Sequence, residues 1–206
     1  MSDLKKELKT LYAPKVGKVS VVDVPSLQFL MIDGQGDPND SEEFSAAVTA
    51  LYSLAYTIRF QYKALGQVFT VMPLEGLWSF AGDAPDTPFD MTRSDKARFV
   101  WTLMIALPDF VSAEQVETGR LSARKKKPEL PLDRVRFGTY HEGEAVQILH
   151  LGSYDEEAPN VARLHDEIAA QGWHLSGRHH EIYLSSMDTP APKRKTIIRQ
   201  PFARST

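Results

Sequence analysis

Residues 179–185 carry ionisable and polar side chains at alternating positions, in the order His-His-Glu-Ile-Tyr-Leu-Ser. Side chains of a β-strand point alternately to the two faces of its sheet, so His179, Glu181 and Tyr183 would share one face. His180 and the two aliphatic side chains would share the other face, which is typical of a core. We therefore expect this segment to form the wall of a pocket.

A carboxylate in such a wall supports several kinds of chemistry. Glu181 could bind a cationic ligand, orient a water molecule or act as a general base, especially where burial raises its pKa. The alternative is a solvated sheet face on which Glu181 pairs with a nearby Arg or Lys. The residues alone leave both interpretations open.

The two adjacent histidines also raise the question of a metal site. The spacing His-Glu-x-x-His, which places two ligands on one face of a helix, is absent. Because neighbouring strand residues point to opposite faces, His179 and His180 cannot easily share one ion. We expect no metal and no organic cofactor.

Several aromatic side chains lie beside turns and strand ends. With an acidic group they could form a cage for a flat or cationic ligand, although a place in the core is the alternative for each of them. These aromatic residues are Trp78, Trp101, Phe110 and Tyr154.

The composition excludes several classes of protein. The chain has 206 residues and no cysteine, which rules out a disulfide-stabilised module, a thiolate nucleophile and an iron–sulfur site. It contains no apolar run long enough for a transmembrane helix, and its charged start does not resemble a signal peptide. Its net charge of −3 argues against direct binding to nucleic acid. We expect a soluble cytoplasmic protein.

Apolar periodicity and turn residues predict the elements that must position these side chains. Helices are predicted at 2–12, 41–65, 112–124 and 156–171, with Asp40 and Ser112 as caps. Strands are predicted at 19–24, 27–32, 68–72, 74–80, 99–107, 145–151, 173–176, 180–185 and 196–199.

The order strand, glycine turn, helix, strand, strand occurs twice, at about 19–80 and about 134–202. It predicts an α+β fold of two duplicated β-α-β-β units. Joined edge to edge, the units would form an antiparallel sheet with helices on one side and a ligand groove between the halves. Neither unit alone buries much core, so we expect a single domain over 1–206.

Each half has a glutamate near the start of its final strand, Glu75 in the first and Glu181 in the second. If the two were equivalent, alternation would send Trp78 to the face opposite Glu75. A bulge at Gly76 could re-aim Trp78. Otherwise only Glu75 would face the groove.

Five segments in order resemble the stand-alone GyrI-like (gyrase-inhibitor-like) small-molecule-binding proteins. They lie at 73–78, 108–111, 142–152, 180–185 and 195–201, and the resemblance extends over about 5–202. It implies the duplicated SHS2-like fold with its ligand in the groove between the halves. Relatives fused to DNA-binding helices act as drug-sensing regulators.

The chain also resembles a subfamily, the cyclopropanoid cyclopropyl hydrolases. These proteins hydrolyse the cyclopropane of flat DNA-alkylating natural products of the yatakemycin and CC-1065 type, within an aromatic cage. The resemblance implies that Glu181 is the acidic pocket residue and Tyr183 its partner on the strand. Ser79 stands where such proteins often have a second tryptophan.

These features predict a detoxifying protein that binds flat apolar or cationic small molecules and hydrolyses an activated cyclopropane. The expected catalytic residues are Glu181 and Tyr183. The expected ligand-binding residues are Glu75, Trp78, Trp101, Phe110, Tyr154 and His179. A non-catalytic ligand sensor or sequestering module and an inhibitor of gyrase or another partner are the alternatives, and the oligomeric state stays open.

Overall fold

The computed structural model describes residues 2–84, 87–90, 93, 95–186 and 188–205. The helices are α1 (Leu4–Glu7), α2 (Lys9–Tyr12), α3 (Glu42–Ala64), α4 (Ala113–Lys126) and α5 (Ala158–Ala170). The strands are β1 (Ser20–Val24), β2 (Leu27–Gln35), β3 (Leu74–Phe80), β4 (Phe99–Leu107), β5 (Arg136–Tyr140), β6 (Gly143–Leu151), β7 (His174–Leu175), β8 (His179–Tyr183) and β9 (Lys195–Ala203). Short 3₁₀ helices lie at Lys96–Arg98, Leu132–Arg134, Tyr154–Glu156 and Ala191–Lys193.

Side-chain caps start the two helices that pack together, α3 and α4. Ser112 Oγ accepts a hydrogen bond from Gln115 N at 3.2 Å, which confirms the predicted cap of α4. Helix α3 is capped by Ser41, one residue after the predicted Asp40, because Ser41 Oγ accepts from Phe44 N at 3.1 Å.

The strands form one antiparallel sheet in the order β1-β6-β9-β8-β3-β4-β2-β5, with β7 paired to the end of β9. This confirms the predicted α+β fold with an antiparallel sheet. The counterparts in the two halves are β1 and β5, β2 and β6, β4 and β9, and β3 and β8. When each strand is replaced by its counterpart, the order reads the same from the opposite edge of the sheet. The halves meet where β3 pairs with β8.

The first strand of each half pairs with the other half. Strand β1 pairs with β6, and β5 pairs with β2. The sequence analysis did not predict β5, because its residues Arg-Phe-Gly-Thr-Tyr include a glycine and only a weak apolar alternation. This exchange joins the halves at both outer ladders as well as at the centre.

Two predicted elements differ from the structure: the first helix, and a strand at 68–72 that lies beside the amino terminus in the fold. The expected helix at 2–12 is broken into α1 and α2 at Leu8, whose backbone angles are φ −107° and ψ 48°. The expected strand at 68–72 is only an isolated bridge between Phe69 and Ser2. Ser2 takes up the hydrogen-bonding groups of this segment, donating to Val68 O and accepting from Thr70 N, both at 2.9 Å.

Helices α3 and α5 cover the same face of the sheet, one over each half. Helix α3 packs on β2 and β4, and α5 packs on β6 and β9. Helix α4 packs on the outer side of α3, where Gly119 lets the two helices approach closely at Ile58. The central strands β3 and β8 therefore form the floor between the two helices.

A glycine in β2 makes room for a buried tryptophan beside this floor. Trp101 on β4 is completely buried and lies across Gly34, its pairing partner on β2. A Cβ atom at Gly34 would lie 2.1 Å from Trp101 Cη2. The indole can occupy this position only because residue 34 has no side chain.

We expect Gly34→Ala to lower the free energy of unfolding by about 2–3 kcal/mol, since a fully buried ring must shift. Urea denaturation followed by tryptophan fluorescence measures this loss. The control is Gly138→Ala on β5, where the new Cβ would meet only the flexible end of Met31 at 3.3 Å. An equal or larger loss in the control would contradict the packing role of Gly34.

Candidate ligand-binding site

The pairing of β3 with β8 brings four of the predicted site residues together. Gly76 lies opposite Glu181, and Trp78 lies opposite His179. Paired residues of antiparallel strands share a face, so Trp78, His179, Glu181 and Tyr183 all point to the side covered by α3 and α5. No bulge interrupts this register.

A chain of hydrogen bonds connects these side chains. Trp78 Nε1 donates to Tyr183 Oη at 3.0 Å, and Tyr183 Oη donates to Glu181 Oε2 at 2.8 Å. Glu181 Oε1 lies 3.1 Å from Nε2 of His179. Both carboxylate oxygens of Glu181 are thus held in place.

The missing side chain of Gly76 makes this arrangement possible. A Cβ atom there would lie 2.7 Å from Trp78 Nε1 and 3.2 Å from Tyr183 Oη. The side chain of any larger residue would clash with the indole and the phenol and would disturb their hydrogen bond. The glycine therefore serves close packing of side chains, not a bulge.

The phenol of Tyr183 is a proton donor over the whole physiological range. Burial raises its pKa well above the ordinary value, and the nearby charge of Glu181 raises it further. Tyr183 stays neutral and can donate a hydrogen bond to Glu181 or to a ligand.

Aromatic rings surround this hydrogen-bonded chain. The Tyr154 ring meets Tyr183 edge to face at 5.8 Å between centroids, and Phe44 of α3 stacks near Trp78 at 6.0 Å. Phe89 lies flat over the His179 imidazole at 4.7 Å with an angle of 11° between the planes. The sequence analysis missed Phe44 and Phe89, because neither lies on the strands whose alternation carried the prediction.

A cavity of about 250 Å³ lies between the 88–90 segment and α5. Phe89 forms one wall, and Ala158, Val161 and His165 of α5 form the other. The ring of Phe89 thus separates this cavity from the His179 side chain beneath it. An open pocket therefore lies next to the aromatic surface that covers His179.

A model of the GyrI-like small molecule binding domain matches residues 17–201. The chain belongs to this family. No helix in the described part of the GyrI-like chain is long and apolar enough to cross a bilayer.

Three similar structures come from Listeria innocua. A conserved protein of uncharacterized function shares 40% identity at a TM-score of 0.88, over 98% of this chain and 100% of its own. Two proteins named as hydrolases each share 39% identity, with TM-scores of 0.83 and 0.84, over 98% of this chain and 100% and 99% of theirs. A search of curated proteins found no match.

The other two predicted aromatic residues of the GyrI-like domain lie at different distances from the Glu181 group. Trp101 pairs with Trp78 across β3 and β4 and packs against Phe44 at 5.3 Å between centroids, so it is a buried neighbour of the group. Phe110 packs against Tyr62 at 5.4 Å. Tyr62 is 18 positions along α3 from Phe44, roughly 27 Å at the rise of an α-helix, so Phe110 is not brought to the groove.

Glu75 is not brought together with Glu181. It lies opposite Ile182 and points to the other face of the sheet. There it accepts hydrogen bonds from Tyr12 Oη at 2.8 Å and His180 Nε2 at 3.0 Å. Because Glu181 pairs with Gly76 and not with Glu75, the two glutamates differ in register by one residue and so in face.

A buried ionic network surrounds Glu75 on that face. His180 lies between Glu75 and Glu142, with its Nδ1 2.8 Å from Glu142 Oε1. Burial alone would lower the pKa of His180, but the two carboxylates raise it to about 9. Burial alone would raise the pKa of Glu142, but His180 and Arg199 lower it to about 2. At neutral pH both partners are charged.

The same network holds the amino-terminal segment against the sheet. Arg199 Nη1 donates to Glu142 Oε2 at 2.9 Å, while its Nη2 donates to Leu11 O at 3.0 Å. Gln147 Nε2 donates to Thr10 O at 2.8 Å. This face of β8 is therefore structural, whereas the opposite face carries the Glu181 group.

We expect His180→Gln to destabilise the protein by about 3 kcal/mol at about pH 6, because it leaves two buried carboxylates facing an uncharged amide. The folded pKa of His180 lies above its ordinary value of 6.5, so its stabilising effect is complete below that value and is lost as the pH rises through about 9. Urea denaturation at about pH 6 and about pH 9.5 should show the difference shrinking. The control is His174→Gln on the exposed strand β7; a difference that grows with pH would contradict the assignment.

Glu157 is a further acidic residue on the face of the sheet that carries Glu181, and the sequence analysis missed it. It precedes α5, is completely buried and has no hydrogen-bond partner for either carboxylate oxygen among the residues described. Burial, followed by the charge of Glu181, raises its pKa to about 10. An acidic residue before a helix is common at the positive end of the helix dipole, so no feature of the sequence distinguishes this buried one from an exposed one.

Within the described ranges, no group of three or more His, Asp and Glu side chains could hold a metal ion. The groups on the groove side that could contact a ligand are the neutral phenol of Tyr183, the indole of Trp78, the carboxyl groups of Glu181 and Glu157, and the surrounding aromatic rings.

Proposed function

We propose that the groove binds flat apolar or cationic small molecules, and that the protein detoxifies electrophilic ones by hydrolysing an activated cyclopropane. The observation that carries the proposal is the chain from Trp78 through Tyr183 to Glu181, held among aromatic rings. The two proteins of about 39% identity that are named as hydrolases support it. We further propose that residues 1–206 act as one domain in the cytoplasm.

Binding would rely on the aromatic walls. A planar ligand that stacks against Trp78, Tyr154 and Tyr183 gains apolar burial and favourable ring contacts. Movement of Phe89 away from His179 would join the neighbouring cavity to this surface. A clamped ring also holds its reactive carbon at a fixed distance from Glu181.

The proposed reaction adds one water molecule to a cyclopropane that is conjugated to a carbonyl. The water oxygen bonds to the unsubstituted ring carbon, and the strained carbon–carbon bond breaks. Its electron pair passes to the carbonyl oxygen, which takes up a proton and becomes a phenol. Glu181 orients the water and accepts the proton that the water loses, while Tyr183 donates a hydrogen bond to the developing phenolate.

A binding protein without chemistry is the second candidate. It is favoured by the hydrogen bonds that already engage both oxygens of Glu181. In that case the groove would act as a ligand sensor or would sequester the compound.

We expect the protein to convert a cyclopropane-bearing alkylator to its water adduct, and Glu181→Gln to slow the conversion by about 100-fold through loss of the proton acceptor. Mass spectrometry of the small molecule measures the addition of one water. Glu129→Gln, which changes an exposed carboxylate after α4, is the matched control.

The outcomes separate the two candidates. Saturable binding of the alkylator with no conversion above the buffer rate would leave only the binding protein. Conversion that survives Glu181→Gln unchanged would remove Glu181 from the reaction. Neither binding nor conversion would overturn both candidates.

A further inference from the structure

Glu157 lies beside the Glu181 group and has no role in the reaction described above. Two groups act on its carboxyl: the charge of Glu181 on β8 raises its pKa, and the hydroxyl of Thr196 on β9 lies close enough to lower it, although not in hydrogen-bond geometry. Its charge in turn raises the pKa values of Tyr183 and Tyr154. Thr196 pairs with Tyr183 across β8 and β9, which places Glu157 over the same patch of the sheet.

The helix does not use the carboxyl of Glu157. A side chain at this position normally accepts a hydrogen bond from a backbone N–H of the first turn, but Glu157 makes no such bond. Pro159 in that turn has no N–H to offer. The capping box just before α5 is formed instead by Ser153 and Glu156.

A buried carboxyl group with two unsatisfied oxygens costs free energy, which is recovered only when a partner arrives. The cavity of about 250 Å³ begins at Ala158, the next residue, and extends to Phe89. A ligand that enters between Phe89 and α5 could bring hydrogen-bond donors to this carboxyl.

We propose that Glu157 is a second acidic ligand residue, which acts with Glu181 to bind the N–H donors of a flat cationic ligand. The inference rests on the proposed binding function of the groove and specifies its ligand as a planar cation with N–H groups. Two carboxyl groups over one patch suit a cation that carries donors on more than one edge.

Proton release should accompany this binding. The pKa of about 10 leaves Glu157 neutral at pH 7, because burial and Glu181 disfavour its charge. Arg194 lies over the Tyr154 ring at 5.5 Å and is not among the groups that shift the pKa of Glu157. A bound cation would supply the missing positive charge, so Glu157 would lose its proton as the ligand enters.

The test compares proflavine, a flat cation with N–H donors, with acridine, its uncharged parent ring. Calorimetric titrations at about pH 7.5 in phosphate and in Tris, which differ in ionisation enthalpy, measure the protons released. We expect about one proton per proflavine for the wild type and none for acridine. In Glu157→Gln, proton release should disappear and proflavine affinity should fall about 10- to 100-fold, with acridine affinity little changed.

Glu167→Gln, on the same helix, is the matched control and should behave as the wild type. Infrared difference spectra of wild type and Glu157→Gln without ligand give a second readout, since only the wild type should show the carbonyl band of a protonated carboxylic acid from residue 157. Proflavine binding without proton release, or with unchanged affinity in Glu157→Gln, would overturn this inference and leave the proposed function standing. Failure of both rings to bind would instead overturn the proposed binding of flat ligands.

Discussion

The pairing of β3 with β8 in one particular register is the constraint on which the rest of the molecule depends. It sets Gly76 opposite Glu181. The hydrogen-bonded side chains of Trp78 and Tyr183 occupy the space where residue 76 would otherwise have a side chain. A slip of one residue would turn every side chain of β8 to the other face. Glu181 would then enter the ionic network and His180 would enter the aromatic groove.

The two faces of β8 show how burial acts differently on acids with and without partners. On one face, Glu142 is buried but stays ionised, since His180 and Arg199 supply two positive charges. On the other face, Glu157 is equally buried, but burial and the nearby charge of Glu181 raise its pKa, which favours the protonated form. The first arrangement holds the amino-terminal segment on the sheet, and the second leaves a buried carboxyl group without a hydrogen-bond donor.

Strand alternation was sufficient to predict that His179, Glu181 and Tyr183 share one face, because all three lie on one strand and the alternation depends on no other element. It failed for Glu75, whose face depends on which residue of β8 it meets, and this register is not written in either strand alone. Phe89 and Glu157 come from a connection and a helix start, and reach the site only through tertiary packing. The exchanged strand β5 escaped prediction since an edge strand with a glycine has little apolar pattern.

The exchange of β1 and β5 also has a consequence for how the chain reaches its native state. The β1–β6 ladder pairs Ser20 with Gln147, and the β2–β5 ladder pairs Met31 with Arg136, so neither ladder can form before the second half of the chain is available. Contacts so distant in sequence slow folding, because a long loop must close before any pairing is gained. During synthesis the first half therefore emerges with both outer edges of its sheet unpaired. The nascent chain is most exposed to aggregation until the second half leaves the ribosome.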